Sequence, residues 1–327
     1  MEIRWLSRRD VESLSIGMSE VLAAVERGFR LKGEGEVELP SKIGVHTRKD
    51  CFLHAMPCFL GGEADRVGMK WVGGYPPNQA KGLPYITGVM LLNDPETGFP
   101  LAVMDASWIT AWRTGAASGV CAKYLASPEA SRVGMVGLGV QARTNLLAMR
   151  EVLPSLRTVR IYDLFRAQTE RFRADMEPLL PGVTFEEAGD PISAVEDADV
   201  AITCCPIVAE PERFIPAEAL KADSLAISVD YDAAFCADVM ADADAFVCDD
   251  RNQYLETQAH GVYFQRDYPT DEGIYADMGD LCAGTRPALR RGRRAAVLMG
   301  IASHDVMTAS LILERAQAAG VGTLLEL

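Results

Sequence analysis

From residue 132 onward the chain alternates short apolar runs with helical stretches, and this rhythm restricts the fold more than any other feature. The runs are VGMVG (133–137), TVRIYD (158–163), VTFEE (183–187), DVAIT (199–203), SLAISVD (224–230) and AFVCDD (245–250). Such alternation predicts a parallel sheet with helices on both faces. The helix after the first run carries Ala142, Leu146, Met149 and Leu153 at helical spacing, which makes one buried stripe.

The first part of the chain reads differently. Residues 18–31 form an amphipathic helix with Val21, Leu22, Val25 and Phe29 on one face. Strand-like text follows in CFLHAMP (51–57), GMKWV (68–72) and ITGVMLLN (86–93), and the last meets PLAVMD (100–105) across the turn DPETG. That pattern predicts a mixed or antiparallel sheet. SWITAWRTGAASGVCAKYLA (107–126) is long enough for a helix, and its Gly, Ala and Ser let another backbone come close. A closing helix runs from about Ser303, a fitting N-cap, to Ala319, with Gly320 as its stop. It need not belong to the parallel sheet and can fold back on the first half. The basic stretch RPALRRGRR (286–294) reads as a solvated loop.

Where the first run meets its helix the sequence is Gly137-x-Gly139-x-x-Ala142. The first glycine permits a tight turn, the second lets a pyrophosphate approach the backbone, and Ala142 lets helix and strand pack closely. The helix N-terminus adds unpaired N–H groups, so Val140 and Gln141 join the cofactor-binding candidates. The next strand ends in Asp163, near the expected distance of about 20 residues for a carboxylate on the adenosine ribose. An acid there repels the 2′-phosphate of NADP, which makes NAD the expected cofactor, although Arg166 is close enough to reach a phosphate. The alternative is that Asp163 caps the following helix. Thr203, Ser228 and Val229, at the ends of two further strands, complete the cofactor-facing set. The fold class is therefore α/β, a Rossmann-type doubly wound parallel sheet plus a second α+β domain.

Composition narrows the partners. Lys and Arg total 32 against 46 Asp and Glu, a formal charge of −14, which argues against a nucleic-acid or anionic-membrane surface. No apolar run approaches the roughly 18–20 residues of a membrane helix, and MEIRWLSRRD has no signal-peptide core, so the cytoplasm is the expected location. The eight cysteines, mostly in apolar text, read as buried free thiols. No C-x-x-C pair occurs and the four histidines are scattered, so no metal is expected.

A few charged residues stand in text where charge is costly. Lys70, in VGMKWVGGYPPN, lies inside an apolar strand, where burial would disfavour its charge and suit it to proton transfer or carboxylate binding. The alternative is an edge lysine that snorkels to water. Arg113 sits among small residues in mid-helix, where its fork could hold a carboxylate or make a surface ion pair. Asp230 ends a parallel strand, where doubly wound sheets gather their ligands, and Asp232 competes with it for an acid/base role. His54 either faces a cleft or is a core histidine, and Lys42 reads as solvent-exposed.

MKWVGGYPPN, TGVMLLNDPETGFPLAVMD, ITAWRTGAAS, VGLGVQA and GIASHDVMTA, in that order, resemble the ornithine cyclodeaminase/mu-crystallin family over nearly the whole chain, from about residue 35 to 318. The resemblance implies a homodimer. It also implies a substrate-binding and dimerisation domain of residues 1–125 with 303–327, and an NAD-binding Rossmann domain of residues 126–302. The family's common step is hydride transfer between a nicotinamide and the α-carbon of an amino or imino acid. By this likeness Lys70 falls at the substrate carboxylate and reacting carbon, Arg113 on the carboxylate-binding arginine, and Asp230 on the acid that handles the proton. Lys42 takes the place of a carboxylate-binding arginine, keeping charge but losing the fork. His54 stands where the cyclodeaminases have a glutamate, and Met299 falls beside nicotinamide and substrate.

The expected activity is NAD-dependent oxidation or reduction of a small α-imino or α-amino acid, with Lys70 and Asp230 as catalytic candidates and Lys42, His54, Lys70, Arg113 and Met299 as substrate-binding ones. Redox-neutral ornithine cyclisation ranks lower. SVDYDAAF (228–235) lacks the Gly-, Pro- and Lys-containing segment that follows the cyclodeaminase acid, and His54 removes a carboxylate partner for a terminal ammonium. A third reading is a non-catalytic, crystallin-like nucleotide-binding protein.

Overall fold

The computed structural model describes residues 2–264 and 267–327. The residues up to Arg113 together with Gly300–Leu327 form one unit, and Thr114–Met299 form the other. The first unit runs β1 (Glu2–Leu6), α1 (Arg8–Ser13), α2 (Met18–Gly33), β2 (Val37–Glu38), β3 (Ile43–Arg48), β4 (Cys51–Leu60), β5 (Arg66–Gly74), β6 (Ile86–Asn93), β7 (Pro100–Asp105) and the start of α3 (Ala106–Leu125). The second continues with β8 (Arg132–Val136), α4 (Val140–Val152), β9 (Thr158–Tyr162), α5 (Arg166–Met176), β10 (Thr184–Glu187), α6 (Pro191–Val195), β11 (Val200–Thr203) and β12 (Ser224–Ser228). It closes with α7 (Ala237–Ala241), β13 (Ala245–Cys248), α8 (Arg251–His260), β14 (Ala276–Asp277), α9 (Met278–Ala283) and β15 (Arg293–Val297). The chain then returns to the first unit as α10 (Ala302–Ala319) and β16 (Thr323–Glu326).

In the first unit the strand order is β16-β1-β7-β6-β5-β4-β2, with β3 also on β4. The sheet is mixed: β1 runs parallel to β7, and β7, β6, β5 and β4 follow one another antiparallel. Because side chains alternate along a strand, register alone decides which residues share a face. Met56, Lys70, Met90 and Met104 line up across β4 to β7, all buried, on the face that α10 covers. Ala55, Trp71 and Val89 make the neighbouring row on the opposite face, where Trp71 and Val89 are exposed. The hydrophobic stripe of α2 packs on α10, as its spacing predicts.

The second unit has the order β10-β9-β8-β11-β12-β15-β13-β14, with every paired strand parallel. The chain steps outward from β8 through β9 to β10 and then restarts on the other side at β11, so the switch in direction lies between β8 and β11. Ala142, Leu146 and Met149 of α4 are fully buried, as expected. Gly115 on α3 lies so close to α4 that a Cβ would stand 2.9 Å from the Asn145 nitrogen, which is the close approach its small residues foretell.

At two places the fold departs from expectation. Residues 286–294 are not a solvated loop throughout: β15 begins at Arg293 and inserts between β12 and β13. Arg294 is buried there on Asp223 and the Leu125 and Gly292 carbonyls. Adjacent arginines hid this strand, because only packing supplies the carboxylate that makes a buried guanidinium tolerable. Nor does Ser303 cap the closing helix. The backbone turns at Gly300 (φ +81°), Ile301 takes the cap position, and Ser303 lies buried in the first turn. Gly320 ends the helix in the left-handed conformation as foreseen.

Candidate active site

The first cluster of chemical groups lies in the first unit. Lys70 is fully buried in mid-strand β5 and donates to Asp305 Oδ1 on α10 at 2.7 Å. Arg113, also buried, donates to the same oxygen through Nε at 3.0 Å. Its terminal nitrogens are thereby left off the carboxylate and lie over Gly300, where a Cβ would come 2.8 Å from both Cζ and Nη2. Burial pushes the Lys70 ammonium down to about 7, the Arg113 charge adds to the shift, and Asp305 opposes it. The lysine is therefore a core residue held by an ion pair, not an edge residue snorkelling to water.

Toward the β3 side of the same face stand Lys42, His46 and His54. Register pairs Gly44 with His54 and His54 with Val72, so His54 sits diagonally from Lys70 on the adjacent strand. Its ring stacks on Phe52 at 4.3 Å. Burial, followed by the charges of Lys42, His46 and Lys70, lowers its pKa to about 3, and it is neutral near neutral pH. Lys42 also acts electrostatically on Lys70, so the lysine read as solvent-exposed belongs to this group.

The second unit holds the other candidates. Gly137 turns at φ +82° directly beneath Cys204 and Cys205, at the switch between β8 and β11. Gly139 is the N-cap of α4, makes no side-chain cap bond, and opens onto free space on its Cβ side. Val140 is exposed beside it and Ala142 is buried under the helix. Gln141 holds Asn145 and Thr144 through its carbonyl. A glycine cradle at an uncapped helix N-terminus fits a dinucleotide pyrophosphate. Asp163 follows β9 and accepts from Leu138 N at 2.8 Å and from Phe165 N at 2.9 Å, so it braces the glycine turn and the entry to α5 together. Arg166 pairs with Glu170.

Asp230 is fully buried, and both of its oxygens are occupied. Oδ1 accepts from Thr203 Oγ1 at 2.7 Å and Ser228 Oγ at 2.9 Å, and Oδ2 from Cys205 N at 2.7 Å. Burial raises its pKa and these donors oppose the rise. The hydroxyls of Thr203 and Ser228 thus meet this carboxylate, while Val229 is bound through its backbone to Thr203. Asp232 does not compete for the same role, because it is paired with Arg213, which also grips Asp267 and covers the Tyr268 ring. Met299 is buried at the end of this unit.

Asp305 belongs to this cluster although the sequence reading does not single it out. Its signal was an acid inside the otherwise uncharged run MGIAS and VMTAS, broken only by His304, where burial would demand a cation.

A dinucleotide turn in one unit and a buried lysine–aspartate–arginine cluster in the other define the class of protein. A family model described as the ornithine cyclodeaminase/mu-crystallin family matches residues 2–320, and the chain belongs to that family. It is similar to the alanine dehydrogenase of Archaeoglobus fulgidus, 34% identical over 99% of this chain and 98% of that protein. Among solved structures it resembles the Thermococcus litoralis Δ1-pyrroline-2-carboxylate reductase in complex with NADH and L-proline. That match has a TM-score of 0.87 and 31% identity, covering 98% of this chain and 99% of that one. An archaeal alanine dehydrogenase dimer with bound NAD gives a TM-score of 0.87 at 31% identity, covering 100% and 99%.

Proposed function

We propose that this chain is an NAD-dependent oxidoreductase acting on CH–NH or CH–NH2 groups: a ketimine or cyclic-imine reductase, or an amino acid dehydrogenase of that type. The observation that carries the reading is the buried Lys70–Asp305–Arg113 cluster, in which an arginine fork is turned off its own carboxylate partner and over a glycine. Such a fork is suited to take a substrate carboxylate bidentately, with Lys42 adding charge. Fixing the carboxylate fixes the α-carbon and the nitrogen attached to it. Gly137, Gly139, Val140, Gln141 and Ala142 would hold NAD, which when bound would supply or receive a hydride, and Asp163 favours NAD over NADP. In the reductive direction Lys70 gives a proton to the substrate nitrogen, so that C=N becomes CH–NH. Asp230, with three donors on its two oxygens, holds the ends of β11 and β12 in place.

Ornithine cyclisation is less well supported. A terminal ammonium would meet Lys42, His46 and Lys70, with neutral His54 where the cyclodeaminases have a glutamate. We further read the chain as a cytoplasmic homodimer. Ile43, Val45, Phe59, Trp71 and Val89 share the sheet face opposite α10 and leave an exposed apolar surface of the kind that a second copy covers. Its eight cysteines are free thiols, in keeping with a reducing compartment. Among the described residues no helix is long and apolar enough to cross a membrane.

The test is loss of NADH absorbance with a panel of 2-oxo acids plus ammonia or methylamine, and with preformed cyclic imines. Oxidation with one class establishes the reductase and its substrate. Proline and ammonia from ornithine with catalytic NAD would replace this reading with cyclisation, and tight NADH binding without turnover would replace it with the crystallin-like one. Light scattering gives the mass, and Trp71→Glu should dissociate the dimer.

A further inference from the structure

Two buried cations share one oxygen of one carboxylate. Lys70 Nζ and Arg113 Nε both converge on Asp305 Oδ1, while Oδ2 is buried without a hydrogen-bond partner among the described residues. This is an unusual way to neutralise charge. A carboxylate that only satisfied an arginine would take the fork on both oxygens. Here the single shared oxygen sets the two donors side by side and leaves the end of the fork off this carboxylate. The anchor is rigid, because Asp305 lies in the fully buried first turns of α10.

The groups packed around Lys70 leave few others able to move a proton. From α10, His304 is fully buried with both ring nitrogens unpartnered among the described residues, set edge-on to Phe29 at 4.2 Å. Burial, helped by Arg113, Lys70 and Lys32, holds it well below its usual pKa, so it stays neutral. From β4, burial and Asp305 push the Cys58 thiol up to about 12. Lys42 and Arg113 each contribute a like charge. Lys70 is the one member of the cluster brought to the neutral range.

We infer that Asp305 is a positioning residue which, through the single oxygen it shares between Lys70 and Arg113, assigns them separate tasks: Arg113 to hold the substrate carboxylate and Lys70 to carry the proton. The inference rests on the imine chemistry proposed above. In the reductive step an Nζ–H bond breaks and a bond from that proton to the substrate nitrogen forms. The electron pair stays on Nζ, the hydride from NADH goes to the α-carbon, and the neutral amine is reprotonated from solvent. Without Asp305, two cations would face each other across the site and Lys70 would lose its proton at a lower pH.

Two measurements test this. The first follows Lys70 in the unliganded protein, by pH titration of ε-13C-lysine resonances with Lys70 assigned by its absence in Lys70→Arg. Wild type should titrate near 7. Asp305→Asn should titrate lower and Arg113→Gln higher. The second is the pH profile of kcat/KM for imine reduction, which needs the protonated lysine and so falls as pH rises through the Lys70 pKa. Asp305→Asn should move that alkaline limb to lower pH, and on the limb each pH interval of one moved costs about tenfold in rate. Asp305→Glu should bring the limb back. A uniform loss at every pH, or a Lys70 titration unmoved in Asp305→Asn, would overturn the inference. If Asp305→Asn does not fold, an unmoved titration in Arg113→Gln does the same. Absence of NADH oxidation by wild type with every imine would sink the functional reading alone, since the titration needs no substrate.

Discussion

Replacing Gly300 by alanine should damage substrate binding far more than folding or cofactor binding. Gly300 adopts φ +81° and lies against the end of the Arg113 fork, so a new Cβ meets Cζ and Nη2 at 2.8 Å. The left-handed backbone costs an alanine about 1–2 kcal/mol, which lowers the melting temperature by a few degrees. The fork is the flexible partner and must move, and a displaced fork loses at least one charge-assisted bond to the substrate carboxylate. At about 1.5–3 kcal/mol for such a bond, kcat/KM should fall by about tenfold to a hundredfold. Steady-state NADH oxidation with whichever imine the panel identifies would show the loss mainly in KM, while NADH affinity, read by its fluorescence, stays close to wild type. In an Arg113→Ala background the same glycine change should add little, because both act through one contact. An unchanged KM in Gly300→Ala, or full additivity with Arg113→Ala, would refute the assignment of this fork to the carboxylate.

Buried groups elsewhere lead to two further outcomes. His54 has its pKa lowered from 6.5 to about 3, so between these values the unfolded chain binds a proton that the folded one does not. Its contribution to stability is complete above pH 6.5 and is lost as pH falls toward 3; denaturant melts across this window should be less steeply pH-dependent in His54→Phe than in wild type. Asp230→Ala would leave the Thr203 hydroxyl and the Cys205 amide without their acceptor, while the Ser228 hydroxyl keeps the Tyr231 carbonyl. At about 1–3 kcal/mol for a buried group so stranded, the melting temperature should drop by more than in Asp230→Asn, which keeps one oxygen as acceptor. Equal melting temperatures for the two variants would show that these bonds carry no weight.

Much of the architecture was legible because it is written in local periodicity. Period-two and short apolar runs marked β4 to β7 of the first sheet and β8 to β13 of the second, and helical spacing marked α2 and α4. The glycine turn announced itself through residue types that only a tight backbone needs. The strands that escaped notice have no such local mark. β16 exists as a strand because it pairs with β1 from the other end of the described chain, and β1 in turn pairs with β7. β15 opens with two arginines, one of them buried, and its burial depends on Asp223.

The same division runs through the site. By itself the sequence determined that Lys70 and Arg113 stand in text too apolar or too small for idle charge, and that Gly137 to Ala142 turn a strand into a helix. It could not say what Lys70 and Arg113 are charged against, because Asp305 lies 235 residues from Lys70 and 192 from Arg113. Likewise it marked Asp230, Thr203 and Ser228 as strand-end candidates without showing that the two hydroxyls close on the one carboxylate. Pattern along a chain reports which face a side chain presents. Which partner meets it there is decided by strand register and helix packing, and in a buried site the partner determines whether a charge binds, transfers a proton or only holds its neighbour in place.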